Sequence, residues 1–449
     1  MFRFAIEISP LRKDRSTNLK SGVTVKRGGR LRWKIAWTLF FSTVINYISR
    51  QSFSVLSPTI SSQLHFTHAD LAKIFGSFQL AYALTWLLGG FLLDRIGVRL
   101  GLSVSVILWS VVNALTGLVS SVTGFVVTRF LLGIGEGFNW PGASKTVAEW
   151  FPDEERGMSV AIFDSGSSVG GALASISLPV IALWVGWRAA FLFAGALGFV
   201  WLVVWLRIYH PLQSHPRVTE EERTFIMQGK LAPVVSAQTG RAKWLGLLSN
   251  RNVWGIILGR SLTDPIWWFY VFWLPQYLTD ARGFSLRQIA IFGWIPFIAA
   301  DIGNFTGGYI SAFAIRHGIP VLRARVLICV VSCLPILAGM PAAQTRNPYL
   351  AVGLVCIALW GFASWSTMGL TFPSDLLPQD VVATVTGLSG FAAGLAGTAF
   401  TFGVGHSVDR FGYTPAFFVA ALLPVLATLS IVVLLRTPST VLDPTRPPG

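Results

Sequence analysis

The chain has 449 residues, 53% of them apolar and only 12% charged, and its mean hydropathy is +0.61. Soluble domains carry about 25% charged residues, so this composition excludes an ordinary soluble enzyme, a disordered chain and a nucleic-acid-binding domain. The net charge of +15 does not restore the last of these, because ten of the 35 Lys/Arg lie within residues 1–34. The rest of the chain is a series of apolar segments, each about 20 residues long and able to cross a roughly 30 Å hydrocarbon layer.

Twelve such spans are predicted, at 34–58, 70–93, 100–120, 122–146, 158–184, 187–207, 252–279, 287–314, 320–341, 347–372, 381–407 and 413–436. In lipid they must be helices, since open backbone has no partner there. Residues 1–33 form a basic tail without the apolar core of a secretory signal. Residues 208–250 are polar, carry Glu220, Glu221 and Glu222, and read as a linker between a first bundle (34–207) and a second (251–436); 437–449 is a closing tail. With both termini in the cytoplasm, 25 Lys/Arg fall on the inner side and 6 on the outer. That bias fixes the expected orientation in a plasma membrane.

The two halves resemble each other. Phe66, Ala72, Gly89 and Gly90 recur as Phe284, Ala290, Gly307 and Gly308; Pro152, Gly186, Ala190 and Phe191 recur as Pro378, Gly412, Ala416 and Phe417. A parallel six-helix repeat is a transporter architecture. The expected fold is all-α, with twelve membrane helices in two pseudo-symmetric bundles. Cys329, Cys333 and Cys356 sit in apolar runs as small hydrophobes, and neither a metal nor a cofactor is expected.

After span 2 the chain reads Gly90-x-x-x-Asp94-Arg95-x-Gly97-x-Arg99. Gly90 would let helices approach closely, Asp94 would bond a helix N-terminus or an arginine across the inner seam, and Gly97 would permit a tight turn. This spacing resembles the loop signature of the major facilitator superfamily. The corresponding loop of the second half has Ala312 and Phe313 instead, so such a latch would be one-sided.

Ionisable residues inside spans are costly and are candidates for function. Span 1 places Arg50 too deep to reach water easily. Either Glu136 satisfies it permanently, or it receives a substrate carboxylate in its planar fork. In span 4, Arg129 and Glu136 are seven residues apart, nearly on one face; Arg129 is either functional or an anchor for backbone carbonyls. Tyr47 and Tyr82 are either donors to sugar hydroxyls or packed aromatics. Asp164, Ser167 and small residues follow in span 5, where Asp164 is either a functional carboxylate or a solvated cap. In span 7, Arg260 and Asp264 are four apart and can pair. Pro265 would break the helix beyond them, and Trp267, Trp268 and Trp273 would be either interfacial anchors or stacking surfaces for a sugar ring. Trp294 and Asp301 lie in span 8. Gly166/Gly170 and Gly303/Gly307 are expected to let spans 5 and 8 touch.

The stretches NYISRQSFSVLSPTI, GEGFNWPGASKTVAEWFPDEERG, residues 251–277 and IFGWIPFIAADIGNFTGGY resemble the hexuronate transporters of the anion:cation symporter family, over about residues 33–436. The resemblance implies proton-driven import of a sugar acid such as glucuronate or galacturonate. It implies Arg50 as carboxylate receptor, Glu136 as proton carrier, and Tyr47 and Tyr82 lining the substrate site; Asn139, Ser167, Arg260, Trp267, Trp268 and Trp294 are the further candidates for substrate contact. Asp264 and Asp301 are alternative proton sites. Gly90, Asp94, Arg95, Gly97, Arg99, Arg129, Glu155 and Arg156 are gating or structural residues. Ser49 stands where the galactonate and vesicular glutamate branches carry aspartate, which leans toward the hexuronate branch and removes one titratable group. The expected partners are the sugar acid, protons and membrane lipid, with the chain monomeric and no nucleic acid bound. The rival solutes are aldonates, aldarates and aromatic acids, and the rival class is a non-transporting sugar-acid receptor.

Overall fold

The structure is a computed structural model that describes residues 30–228, 247, 249–377 and 379–436. The basic tail up to Gly29, most of the linker's second half, Pro378 of the repeat and the closing tail lie outside the described residues. The elements are α1 (Leu31–Leu64), α2 (His68–Ile96), α3 (Val98–Thr116), α4 (Val122–Glu136), α5 (Asn139–Trp150), α6 (Asp153–Val185) and α7 (Trp187–Ile208). They continue with α8 (Glu220–Gln228), α9 (Arg251–Arg282), α10 (Leu286–Phe292), α11 (Ile295–Arg316), α12 (Val321–Ile336), α13 (Gly339–Gln344), α14 (Pro348–Leu376), α15 (Gln379–Phe411) and α16 (Thr414–Leu434). No strand occurs among the described residues.

Nine helical stretches among the described residues are long and apolar enough to cross a membrane. The three long stretches that miss this threshold are α1, α4 with α5, and α9. Polar side chains dilute α1 and α9. Between α4 and α5 the chain bends at Gly137 and Phe138, both still in right-handed helical conformation. These three are also the helices that carry Arg50, Glu136 and Arg260.

Turns between helices follow local chemistry. Thr67 caps α2 in a capping box with Asp70, and Ser285 does the same for α10 with Gln288. Gly97, at φ +79°, turns α2 into α3 as its spacing predicts. Pro265 does not break α9, which runs unbroken through both Pro265 and Pro275. A proline inside a helix removes one backbone bond, and packing from neighbouring helices holds the rest together.

The halves meet along α2 and α15. Ala72 lies against Gly405, Gly76 against Phe402, Ala83 against Gly394 and Trp86 against Gly390. The next residues of that stripe, Gly90 and Gly387, have open space beside them. The seam is therefore shut on one face and splayed on the other. The splayed face carries both described chain ends, because twelve crossings return the chain to its starting side.

The shut face is tied from α1 and α2 to α9. Ser54 Oγ donates to Val271 O at 2.7 Å, Ser57 Oγ to Gln276 Oε1 at 3.1 Å, and Phe75 stacks on Phe272 at 5.0 Å.

Candidate functional site

Midway along α1, Arg50 Nε lies 3.0 Å from Glu136 Oε2 at the end of α4. Arg50 is 2% exposed and Glu136 0%. Arg50 Nη2 donates to Asn46 Oδ1 at 3.1 Å, one helical turn back. Aromatic rings surround the guanidinium: Tyr47 and Tyr82 at 4.6 Å, Phe78 at 5.4 Å and Trp268 at 5.6 Å. Trp268 comes from the second half, so the cage spans both bundles. Glu136 Oε1 has no hydrogen-bond partner among the described residues.

Arg129 is also buried and anchors α1. Its Nη2 donates to Ser52 Oγ at 2.9 Å, and its Nη1 to Arg50 O and Ser49 O at 3.4 and 3.5 Å. Of these two buried guanidiniums Arg50 bonds Glu136 and Arg129 bonds α1, so the three side chains together carry one net positive charge when all are ionised. An uncompensated buried charge is costly, so the site is complementary to one further anion.

A second ion pair faces the same aromatic cluster from the other half. Arg260 Nη2 lies 2.8 Å from Asp264 Oδ2, Nη1 donates to Ser389 Oγ at 3.3 Å, and the guanidinium sits 5.9 Å from Trp86. Trp86 is 6.3 Å from Tyr82, which links the two pairs through rings.

The remaining candidates divide. Trp267 stacks on Phe362 at 6.0 Å and meets Phe297 edge-on, beside the cage. Trp273 instead lies in the shut seam against Phe75. Trp294 stands at the N-cap position of α11. Asn139 accepts from Ser42 Oγ at 2.6 Å and donates to Thr43 Oγ1 at 3.3 Å, so it ties α5 to α1. Ser167 is half-buried; its neighbour Ser168 is the residue that donates to Asp301 Oδ1 across the halves. Asp164 lies about three turns into α6 and is exposed, so it is no helix-start cap.

The glycine pairs do not meet each other. Gly166 and Gly170 pack on Phe40 and Val44 of α1, and Gly303 and Gly307 on Trp360 and Ser364 of α14. Helices α6 and α11 do touch, through Gly171 against Phe297 and through Ser168 and Asp301.

At the loop motif, Asp94 Oδ1 lies 2.6 Å from Lys145 Nζ, within the first half, and is 71% exposed. It makes no bond across the seam because the seam is open there, and Gly90 supports no close approach for the same reason. Arg95 covers Phe91, Arg99 donates to Leu206 O at 2.8 Å, and Arg156 to Ala148 O at 3.4 Å. Glu155 holds Arg32 at 2.7 Å.

Comparison with known proteins places this geometry in a lineage. The profile of the Major Facilitator Superfamily matches residues 39–401. The chain belongs to the major facilitator superfamily. It is 32% identical to the hexuronate transporter of Escherichia coli strain K12 over 411 residues, covering 89% of this chain and 93% of that one. It is 32% identical to the galacturonate transporter of Dickeya chrysanthemi, covering 72% and 94%, and 28% identical to a D-galactonate transporter of E. coli O6:H1, covering 92% and 97%. Among solved structures, a bacterial homologue of the human lysosomal transporter Spinster superposes with TM-score 0.66 at 17% identity, covering 90% of this chain and 96% of that one. The nucleoside transporter NupG gives 0.67 at 11% identity, covering 91% and 100%. This superfamily member is a transporter and not an enzyme.

Sequence reasoning missed the clasp on the shut face. His68 lies 2.8 Å from Asp280 and 2.7 Å from Asp409, and Tyr413 donates to Asp280 at 2.9 Å. A signal existed. Gly405-x-x-x-Asp409-Arg410-x-Gly412 repeats the spacing of Gly90 to Gly97, on the opposite face of this superfamily fold.

Proposed function

We propose that the chain is a proton-coupled symporter that imports a sugar acid of the hexuronate class by alternating access. The observation that carries this reading is the buried Arg50–Glu136 pair inside a cage of Tyr47, Tyr82 and Trp268. A carboxylate needs the guanidinium, and the carbon-bound face of a pyranose ring suits aromatic walls. The names of the relatives support the solute class.

Charge balance supplies the coupling. An ionised Glu136 competes with the substrate carboxylate for Arg50. A proton on Glu136 neutralises the competitor and releases Arg50 Nε, so carboxylate and proton load together. When the site opens to the other side, loss of the proton restores the Arg50–Glu136 pair and drives the sugar acid off. Arg260, Asp264 and Asp301 face the site from the second half, where they would sense whether the cage is filled.

In this reading the splayed face is cytoplasmic and the conformation is inward-open, with the shut seam toward the outside. The bias of Lys/Arg supports that assignment.

The test is uptake into proteoliposomes holding the purified chain. Labelled glucuronate should accumulate only when the outside is acidified, and neutral glucose should not compete. Glucuronate entry indifferent to the pH gradient would remove the coupling, and equal competition by glucose would remove the carboxylate site.

A further inference from the structure

On the splayed face, a cavity of about 400 Å³ opens where α1 begins and α7 ends. Its walls include Arg30, Lys34 and Arg217, together with Leu31, Ile208 and Glu222. The charged ends of Arg30, Lys34 and Arg217 have no acidic partner among the described residues. Glu222 shares Arg32 with Glu155, so that trio carries one net negative charge and offsets only one of the three cations. Among the described residues the hollow therefore keeps an excess of positive charge.

The hollow is built rather than incidental. His215 is buried; its Nδ1 accepts from Arg217 N at 3.0 Å, and its Nε2 donates to Ile208 O at 2.9 Å. That stitch folds the chain after α7 back on itself and sets Arg217 opposite α1. Arg32, clamped between Glu155 and Glu222, fixes the start of α8 to the same helix.

Its position identifies the occupant. Lys34, Trp37 and Phe41 share one face of α1, and Trp37 and Phe41 are about half exposed. On α7, Val200, Val203 and Val204 are exposed likewise. This apolar, outward surface runs down both helices into the cationic cavity, so an occupant with acyl chains above and a phosphate below fits it end to end. Basic clusters next to a membrane helix attract anionic headgroups.

We propose that this cavity binds the phosphate headgroup of an anionic phospholipid, clipping the start of the linker to the first bundle. The experiment uses the full chain, purified in a neutral detergent, and follows thermal unfolding as lipid is added. Phosphatidylglycerol should raise the midpoint, and phosphatidylcholine should not. The triple variant Arg30→Gln, Lys34→Gln, Arg217→Gln should need roughly a hundred-fold more phosphatidylglycerol for the same shift. An unchanged response in that variant overturns the proposal. A shift of the same size from inorganic phosphate at matched concentration assigns the site to a soluble anion and overturns the lipid. Should the triple variant not fold, native mass spectrometry of the unmodified chain against Lys34→Gln decides. Selective retention of phosphatidylglycerol that weakens in Lys34→Gln supports the site, and equal retention of both lipids by both chains overturns it.

Discussion

His68 Nδ1 lies 2.7 Å from Asp409 Oδ1, and the same carboxylate caps α2 by accepting Ala69 N at 2.9 Å. One side chain of the second half thus holds both the ring and the helix start of the first. Because His68 Nε2 also faces Asp280 at 2.8 Å, only a doubly protonated ring donates to both acids. His68→Ala should weaken the shut seam by about 1–2 kcal/mol, roughly ten-fold in the balance of the two conformations. A cysteine placed in the seam should react correspondingly faster with a membrane-impermeant thiol reagent. Acidifying that face until the ring carries both protons between Asp280 and Asp409 should slow the reaction in the unmodified chain and leave it unchanged in His68→Ala. A pH response that survives the substitution places the sensor elsewhere.

Much of this was legible in the sequence, for reasons that also mark where it stopped. Apolar length marks nine helical stretches among the described residues as able to cross a membrane. Two of the other three, α1 and α9, carry site residues whose polarity lowers hydropathy, and the third is divided at Gly137 and Phe138 into two short helices. Arg50 and Glu136 were readable because a buried charge demands a partner, and Arg260–Asp264 because four residues is a helical turn. Partner choice across helices was not readable. Gly166 and Gly303 both advertise close packing, yet which neighbour each meets depends on helix rotation, and each meets a helix of its own half. The partner of Asp94 depends on which face of the seam is open. Asp301 pairs with Ser168 rather than Ser167 because one residue turns the side chain by about 100°.

Arg50→Lys keeps the charge and loses the planar fork. An ammonium cannot hold Glu136, Asn46 and an incoming carboxylate in one plane. Losing one or two charge-assisted hydrogen bonds, each worth about 1.5–3 kcal/mol, should lower sugar-acid uptake at least ten-fold with little change in melting temperature. Uptake at the unmodified level would leave Arg50 a point charge only.

Gly170 packs on Val44 O and the Tyr47 side chain with no room for a β-carbon. Gly170→Ala should therefore push α6 away from α1 and destabilise the chain by about 1–3 kcal/mol, and it should shift Tyr47, weakening substrate binding as well. Gly90→Ala meets open space in this conformation. Measured side by side, Gly170→Ala should lower the melting temperature and Gly90→Ala should not. A larger loss at Gly90 would mean that the most populated conformation has the opposite seam shut.

Glu136→Gln separates binding from coupling. The amide keeps the size of the side chain and resembles the protonated acid, so Arg50 stays available to a substrate carboxylate. Counterflow, the exchange of labelled for unlabelled sugar acid, should persist within about three-fold of the unmodified chain, because exchange requires only binding and rocking. Accumulation driven by a pH gradient should fall by at least about a hundred-fold, the loss expected when a buried charged pair worth about 3 kcal/mol no longer forms to expel the substrate. Asp264 and Asp301 are the competing carriers. Asp264 is held at 2.8 Å by Arg260, and Asp301 receives the hydroxyl of Ser168; Glu136 alone of the three is fully buried and has an unpartnered oxygen. Both fluxes should be measured in the same vesicles, so that loss of protein cannot pass for loss of coupling. Accumulation that survives in Glu136→Gln moves the proton to the second half, and Asp264→Asn then becomes the variant expected to lose it.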